Sequence, residues 1–310
     1  MPWGWGQSSR DTGHVNVRWL GVALVAVLAV AGCGNDDGGA GGAGADNGVR
    51  IASFDFAESE LVAELYAQVL EANDITVVRL GAIGPREVVA PALEQGRIDL
   101  VPEYLGTAAA HFGASTIDVA GLAAALEPRG LEPFDAVPAQ DVNVFVVAED
   151  FAAEHGLGTL SDLSAVAARA RFGGPVECPD RPLCLEGLES VYGLVFADFV
   201  PLRSLAVTAE ALLRDEVQVA LMFSTSAELS SGPFVVLEDD RGLQPPENLV
   251  PVVRSAVVER WGPPMEDALN ALVPGLTTSA LQGMNRRVSD GEPVDAVAAA
   301  WLETAGLVSG

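Results

Sequence analysis

The apolar positions of residues 49–104 switch between two periods. "VRIASFDF" (49–56) is a short continuous apolar run, the pattern of a buried strand. "ESELVAELYAQVLEAN" (58–73) has helical spacing, with Leu61, Leu65 and Val69 on one face and acids crowding the first turn. "ITVVRL" (75–80) reads as a strand. "PREVVAPALEQG" (85–96) reads as a helix with Pro85 at its start and Gly96 past its end, and internal Pro91 is a candidate kink. "IDLVPEY" (98–104) is the next strand. Strand, helix, strand, helix, strand at this rhythm predicts a parallel α/β sheet. Ligands of open α/β sheets sit outside the carboxyl ends of strands. Ser53 through Phe56 lie at one such end, and Tyr104 and Thr107 at another. Tyr104 is one of only three tyrosines in the chain.

A second block begins near "AQDVNVFVVAEDF". It predicts a strand over 143–148, a helix near "SDLSAVAARA" (161–170), a helix around "LCLEGLESVYGL" and a strand at "DFVPL". A helix at "TAEALLRD" and a strand at "VQVALMF" follow. "FVVLEDDRG" and "NLVPVVR" are further strand-like pieces. Three helical segments close the chain: "PMEDALNALV", "TTSALQGMNRRVS" and "PVDAVAAAWLETAGL". No internal repeat and no long linker interrupts residues after 48. Two α/β blocks with a helical tail predict a bilobed body with a cleft.

The first 32 residues read as a targeting segment rather than fold. Arg10 and Arg18 form a basic start, and "WLGVALVAVLAVAG" (19–32) is an apolar run of 14 residues. A spanning helix needs about 20, whereas a secretory h-region fits this length. "VAGC" then resembles a bacterial lipobox, which places cleavage before Cys33 and lipid on its thiol. Glycine-rich residues 33–48 are expected to be a flexible tether. The expected location is therefore extracytoplasmic, lipid-anchored to the bacterial cell membrane. In that oxidising setting Cys178 and Cys184 of "ECPDRPLC" are expected to form a local disulfide.

Composition narrows the function. Seventeen basic residues face 43 acidic ones, giving a net charge of −26, and every base is an arginine. Nucleic-acid phosphates would be repelled; a cationic solute would be mildly attracted. The three histidines are scattered, and no HExxH, GxSxG or Walker loop occurs. Catalysis, a metal and a cofactor are not expected.

"ASFDFAESELVAELYAQVLE", "PREVVAPALEQGRIDLVPEYLGT", "PAQDVNVFVVAEDFAAEHGLGTLSDL", "LEGLESVYG" and "VQVALMFSTSAEL" occur in that order. Together they resemble the substrate-binding lipoproteins of osmoprotectant ABC transporters, which bind glycine betaine, choline, carnitine and related compounds. The resemblance spans nearly all of 49–308. It implies a periplasmic-binding-protein-like fold (type II): two α/β lobes joined by two chain crossings and hinged around a cleft. Lobe one is expected at 49–141 plus 224–310, and lobe two at 142–223. It also implies a monomeric receptor that hands a small quaternary amine to an ABC permease. The alternatives are another cationic amine as ligand, or a sensor or interaction lipoprotein that has lost transport.

A trimethylammonium group has no N–H to donate, so aromatic faces hold it, each contributing about 0.5–2 kcal/mol. Micromolar binding needs about 8 kcal/mol, so several faces and a polar clamp are required. By the resemblance, Tyr104 and Thr107 of the "EY-x-G-T" segment supply a cage ring and a hydroxyl. Phe223, with Thr225 close behind it, sits at the end of the strand before the return to lobe one. Asn143 stands at the crossing into lobe two, where its amide either reaches the ligand or fixes the hinge turn. Arg181 in the disulfide loop either matches the family's carboxylate-binding arginine or is an exposed solvated one. The chain also departs from the family. Many relatives carry a carboxylate-binding lysine where Phe54 stands, next to Asp55. They carry cage tyrosines near the positions of Val144 and of Val207 or Thr208. One reading adds Phe54 to the cage and pairs Asp55 with a cation, favouring choline-like ligands over betaines. The other makes Phe54 core and Asp55 a helix cap.

Overall fold

The computed structural model describes residues 48–230 and 232–308. The expected signal segment, the lipidated Cys33 and almost all of the tether lie outside the described residues. Residues 46–310 form one compact unit. Among the described residues, no helix is long and apolar enough to cross a membrane.

The first lobe opens with β1 (Val49–Ser53), α1 (Ala57–Glu71), β2 (Val77–Ala82), α2 (Arg86–Glu94) and β3 (Leu100–Tyr104). It continues with α3 (Leu105–Phe112), α4 (Val119–Leu126) and β4 (Leu131–Pro133). The second lobe holds β5 (Asn143–Ala148), α5 (Glu149–His155), β6 (Arg171–Gly174) and α6 (Leu185–Tyr192). Then come β7 (Asp198–Pro201), α7 (Leu205–Leu213), β8 (Val219–Phe223) and β9 (Phe234–Val236). The chain returns through β10 (Leu249–Arg254) and ends in α8 (Ser255–Trp261), α9 (Pro263–Asn270), α10 (Thr278–Ser289) and α11 (Val294–Thr304). The helix α2 runs on through Pro91 without a break.

Each lobe is built on a five-stranded sheet, ordered β2-β1-β3-β10-β4 and β7-β6-β8-β5-β9. The parallel arrangement expected for the strands of 49–104 is present in β1, β2 and β3, and each sheet also takes in antiparallel strands. β1 is parallel to β2 and β3, and β6 to β7 and β8. β10 runs antiparallel to β3 and β4, and β5 antiparallel to β8 and β9. The cause is the chain crossing. β5 and β10 each enter a lobe from the hinge, beside the carboxyl end of a parallel strand, and must run back against it. Asn143 accordingly pairs with Phe223, and Leu249 with Tyr104. The same geometry turns the carboxyl ends of β3 and β8 toward the hinge.

Two further expectations change. The second lobe does not end at 223, because β9 pairs with β5 in the second sheet; the return to the first sheet falls between β9 and β10. The segment 161–170 forms two 3₁₀ turns, Ser161–Ala165 and Ala167–Arg169, instead of an α-helix. Its buried residues Leu163, Val166, Ala167 and Ala170 keep the i, i+3, i+4, i+7 spacing of a helix face, so the apolar pattern alone does not separate the two 3₁₀ turns from an α-helix.

The hinge is tied by short polar contacts. Ser224 Oγ accepts from the Val142 amide (3.0 Å) and donates to the Gln140 carbonyl (2.6 Å). The Asp141 amide donates to the Glu247 carbonyl (3.1 Å). From α10, Gln282 Nε2 donates to the Ser224 carbonyl (2.6 Å). Each lobe keeps its own core. α1 buries Leu61, Leu65 and Tyr66 in the first, and Phe145, Phe172 and Leu188 lie in the second. Cys178 and Cys184 are joined in a disulfide with their Cα atoms 5.4 Å apart.

Candidate functional site

Three depressions meet at the hinge. The first, about 290 Å³, lies on the first lobe and is lined by Phe54, Asp55, Phe56, Arg86 and Tyr104 among others. The second, about 440 Å³, lies on the second lobe and includes Asn143, Arg181 and Phe223. The third, about 650 Å³, lies between the lobes, with Phe56, Glu58, Asp141, Leu205, Phe223, Thr225 and Asn285 in its wall. Phe56 borders the first and third depressions, and Phe223 the second and third. The two rings are therefore common to both lobes' halves of one site.

The turn from β1 into α1 places the aromatic groups. Phe56 ends it in an extended conformation (φ −145°, ψ 150°). The rings of Phe54 and Phe56 stack with centroids 6.0 Å apart, and Phe56 lies 6.0 Å from Tyr104. Exposure distinguishes them. Phe54 is 4% exposed and Tyr104 6%, whereas Phe56 is 42% and Phe223 39% exposed. Large apolar side chains are normally buried, so two half-open phenylalanines on one cavity are available faces for a ligand. Phe54 belongs to the first core, and the Arg86 guanidinium lies 5.2 Å from its ring centroid. Asp55 is exposed, and the helix α1 has no side-chain cap. Ser59 Oγ instead accepts from the Phe54 amide (3.0 Å).

The "EYLGT" segment is held by carboxylates. Arg86 pairs with Glu103 (2.8 Å) and donates to Thr107 Oγ1 (2.9 Å). Burial pushes the Glu103 carboxyl up, against the pull of Arg86. Thr107 borders none of the three depressions, and its hydroxyl is spent on Arg86, the Tyr104 carbonyl and Glu247. The Gly106 amide donates to Glu247 Oε2 (3.0 Å). A Cβ on Gly106 would stand 2.8 Å from the Pro246 carbonyl oxygen, so only glycine admits the returning chain there.

The floor of the interlobe cavity is acidic. Glu58, buried at the start of α1, accepts from the Tyr104 hydroxyl on Oε1 (2.8 Å) and from Asn285 Nδ2 on Oε2 (2.7 Å). Asn285 also donates to the Thr225 carbonyl (3.0 Å). Thr225 Oγ1 in turn donates to Asp141 Oδ1 (2.9 Å). Burial, then the charge of Glu58, pushes the Asp141 carboxyl up to about 7, with Glu247 adding to it and Thr225 opposing. Burial first, then Glu58 and Asp141, also raises the Tyr104 hydroxyl well above its usual range.

This has a stability consequence. A carboxyl held above its unfolded value binds its proton more tightly in the folded state. Its contribution is present at low pH and lost as pH rises through the folded value. The ligand-free protein should therefore lose up to about 1.4 kcal/mol per pH unit from this group between pH 5 and 7. Thermal unfolding of wild type and Asp141→Asn at pH 5 and 8 checks this. Equal pH slopes in the two proteins would contradict it.

Of the residues singled out in the sequence, Phe54, Asp55 and Tyr104 share the first-lobe depression. Asn143 and Arg181 line the second-lobe one, and Phe223 and Thr225 border the interlobe cavity. Asn143 Nδ2 also donates to the Leu183 carbonyl (3.3 Å). Sequence reasoning reads Phe56 only as part of a strand end and does not single out Glu58, Asp141, Leu205, Glu247 or Asn285. A signal was present for Phe56 and Glu58, since the first falls in the same strand-to-helix turn as Phe54 and the second in the first turn of the helix that follows. On α7, Leu205 reaches the cavity rather than Val207 or Thr208. No group of three or more potential metal ligands is assembled among the described residues.

A fold of two hinged α/β lobes with its site at the crossing defines a solute-binding receptor. The chain belongs to the family described as the substrate-binding domain of the ABC-type glycine betaine transport system, which matches residues 47–304. It is 26% identical over 279 residues to the glycine betaine-binding protein YehZ of Escherichia coli (strain K12), covering 83% of this chain and 90% of that one. The carnitine transport binding protein OpuCC of Listeria monocytogenes (strain 10403S) is 24% identical over 261 residues, 80% of this chain and 82% of that one. A crystal structure of a glycine betaine/carnitine/choline ABC transporter matches the fold with a TM-score of 0.78 at 22% identity. That match covers 84% of this chain and 99% of the other. Proteins of this family are extracytoplasmic binding receptors, not enzymes, and act with a small-molecule ligand and a permease.

Proposed function

We propose that this protein captures a small quaternary-ammonium compound between its lobes, closes about the hinge and presents it to a membrane permease. A lipid on Cys33 holds it at the membrane, and it works as a monomer. The observation that carries the reading is the pair of half-exposed rings, Phe56 and Phe223, on a cavity of about 650 Å³ between the lobes. Aromatic faces over a desolvated cation are the physical means of holding a group with no hydrogen to donate. The relatives named for glycine betaine and carnitine support the same ligand class. Tyr104, tied to Glu58, backs the Phe56 ring and fixes its position. Closure would bring the Asn143 and Arg181 face of the second lobe toward the Phe54–Phe56 face of the first.

Calorimetric titration of the purified protein with choline, glycine betaine, carnitine, proline betaine and spermidine tests this. Micromolar binding of at least one quaternary amine is expected. Silence toward all of them would remove the receptor reading.

A further inference from the structure

The interlobe cavity has a one-sided charge. Its wall includes Glu58, Asp141 and Glu228 and no basic residue. Arg86 lies on the neighbouring depression, but its guanidinium is engaged by Glu103, Thr107 and the face of Phe54. Arg181 stands on the second-lobe depression. On α10, next to the lining residues Asn285 and Val288, Arg286 pairs with Asp290 and Arg287 with Glu292. A zwitterion seated against Phe56 and Phe223 would bring its own carboxylate toward three acids. A plain cation would neutralise them.

We infer that this cavity selects a ligand of net positive charge without a carboxylate, whose cationic centre pairs with Asp141. Glu58 accepts a hydrogen bond on both oxygens, from Tyr104 and from Asn285. Asp141 accepts only at Oδ1, and its Oδ2 has no partner among the described residues. Asp141, Phe56 and Phe223 line the same cavity. The groups acting on Asp141 are Glu58 from α1, Tyr104 from β3, Glu247 from the returning chain and Thr225 beyond β8, with Glu228 and Asn285 on the same cavity wall. None is a cation, so a ligand supplies what the protein lacks. The exchange balances: protonated Asp141 and the free cation give the ion-paired complex and one proton to solvent. Affinity then falls as pH drops through neutrality, by up to about tenfold per unit.

The inference rests on the receptor reading, and its test separates the two. Choline and glycine betaine share a trimethylammonium head and differ in the carboxylate. Both are titrated from pH 5.5 to 8.5, in pairs of buffers with different ionisation enthalpies, which counts the protons released. Choline is expected to bind more tightly than glycine betaine. Its affinity should climb about tenfold per unit below neutrality and then level, with close to one proton released per choline at pH 6. Asp141→Asn should flatten the pH profile and weaken choline at pH 8. The wild-type profile and proton count decide the matter even if that variant fails to fold. Tighter binding of glycine betaine at every pH, or a flat choline profile without proton release, would overturn the inference while leaving the receptor intact. Absence of choline binding would overturn the inference, and the receptor reading falls with it only if glycine betaine, carnitine, proline betaine and spermidine are silent as well.

Discussion

Replacing Arg86 by alanine is expected to cost about 3–5 kcal/mol of stability, the loss typical of breaking a buried ion pair from one side. Glu103 is almost completely buried and pairs with Arg86 at 2.8 Å. Without the guanidinium, that carboxylate is left in a low-dielectric site with the Tyr104 amide, at 3.3 Å, as its remaining hydrogen-bond donor. Thr107 loses its donor and Phe54 its covering cation in the same step. Against a typical total of about 5–15 kcal/mol, this is a large share. Chemical denaturation at pH 8 measures it. The loss should shrink at pH 5, because Glu103 can then take a proton and shed its charge. The double variant Arg86→Met/Glu103→Leu should recover most of the loss, since removing both charges leaves no unpaired one. A loss below about 1 kcal/mol for the single variant would mean that the pair behaves like a surface contact.

Truncating both open rings, Phe56→Ala with Phe223→Ala, should weaken quaternary-amine binding about a hundredfold. Each desolvated face contributes about 0.5–2 kcal/mol, and a factor of ten corresponds to about 1.4 kcal/mol. Stability should change less than affinity, because both rings are already 39% or more exposed in the free protein. Phe54→Ala should behave in the opposite way. That ring is buried in the first core, and its removal should cost about 3–5 kcal/mol of stability. Isothermal titration and thermal unfolding on the same three proteins separate the roles. If Phe54→Ala binds poorly while remaining stable, the aromatic assignment is reversed.

The sequence by itself determined the local elements and the order of the two α/β blocks. β5, α6, α7, β8 and α10 fall where their apolar periods place them, because period and strand or helix geometry are local properties of the backbone. Tyr104 and Phe223 were legible as strand-end residues for the same reason. The tertiary structure decided what the strand ends face. In the turn after β1, Phe54 and Phe56 look alike in sequence; only the packing of Arg86 and the first core buries one and leaves the other open. Asp55 is the acid adjacent to the cage in sequence, yet Glu58 and Asp141 are the acids on the interlobe cavity. Those two stand 83 residues apart along the chain, and only the crossing at the hinge brings them together. The same non-local contacts moved β9 into the second sheet. In an alanine-rich stretch whose buried positions keep helical spacing, the packed chain forms two 3₁₀ turns over 161–169. Propensity is a small free energy per residue, and burial of a distant surface outweighs it wherever the two compete.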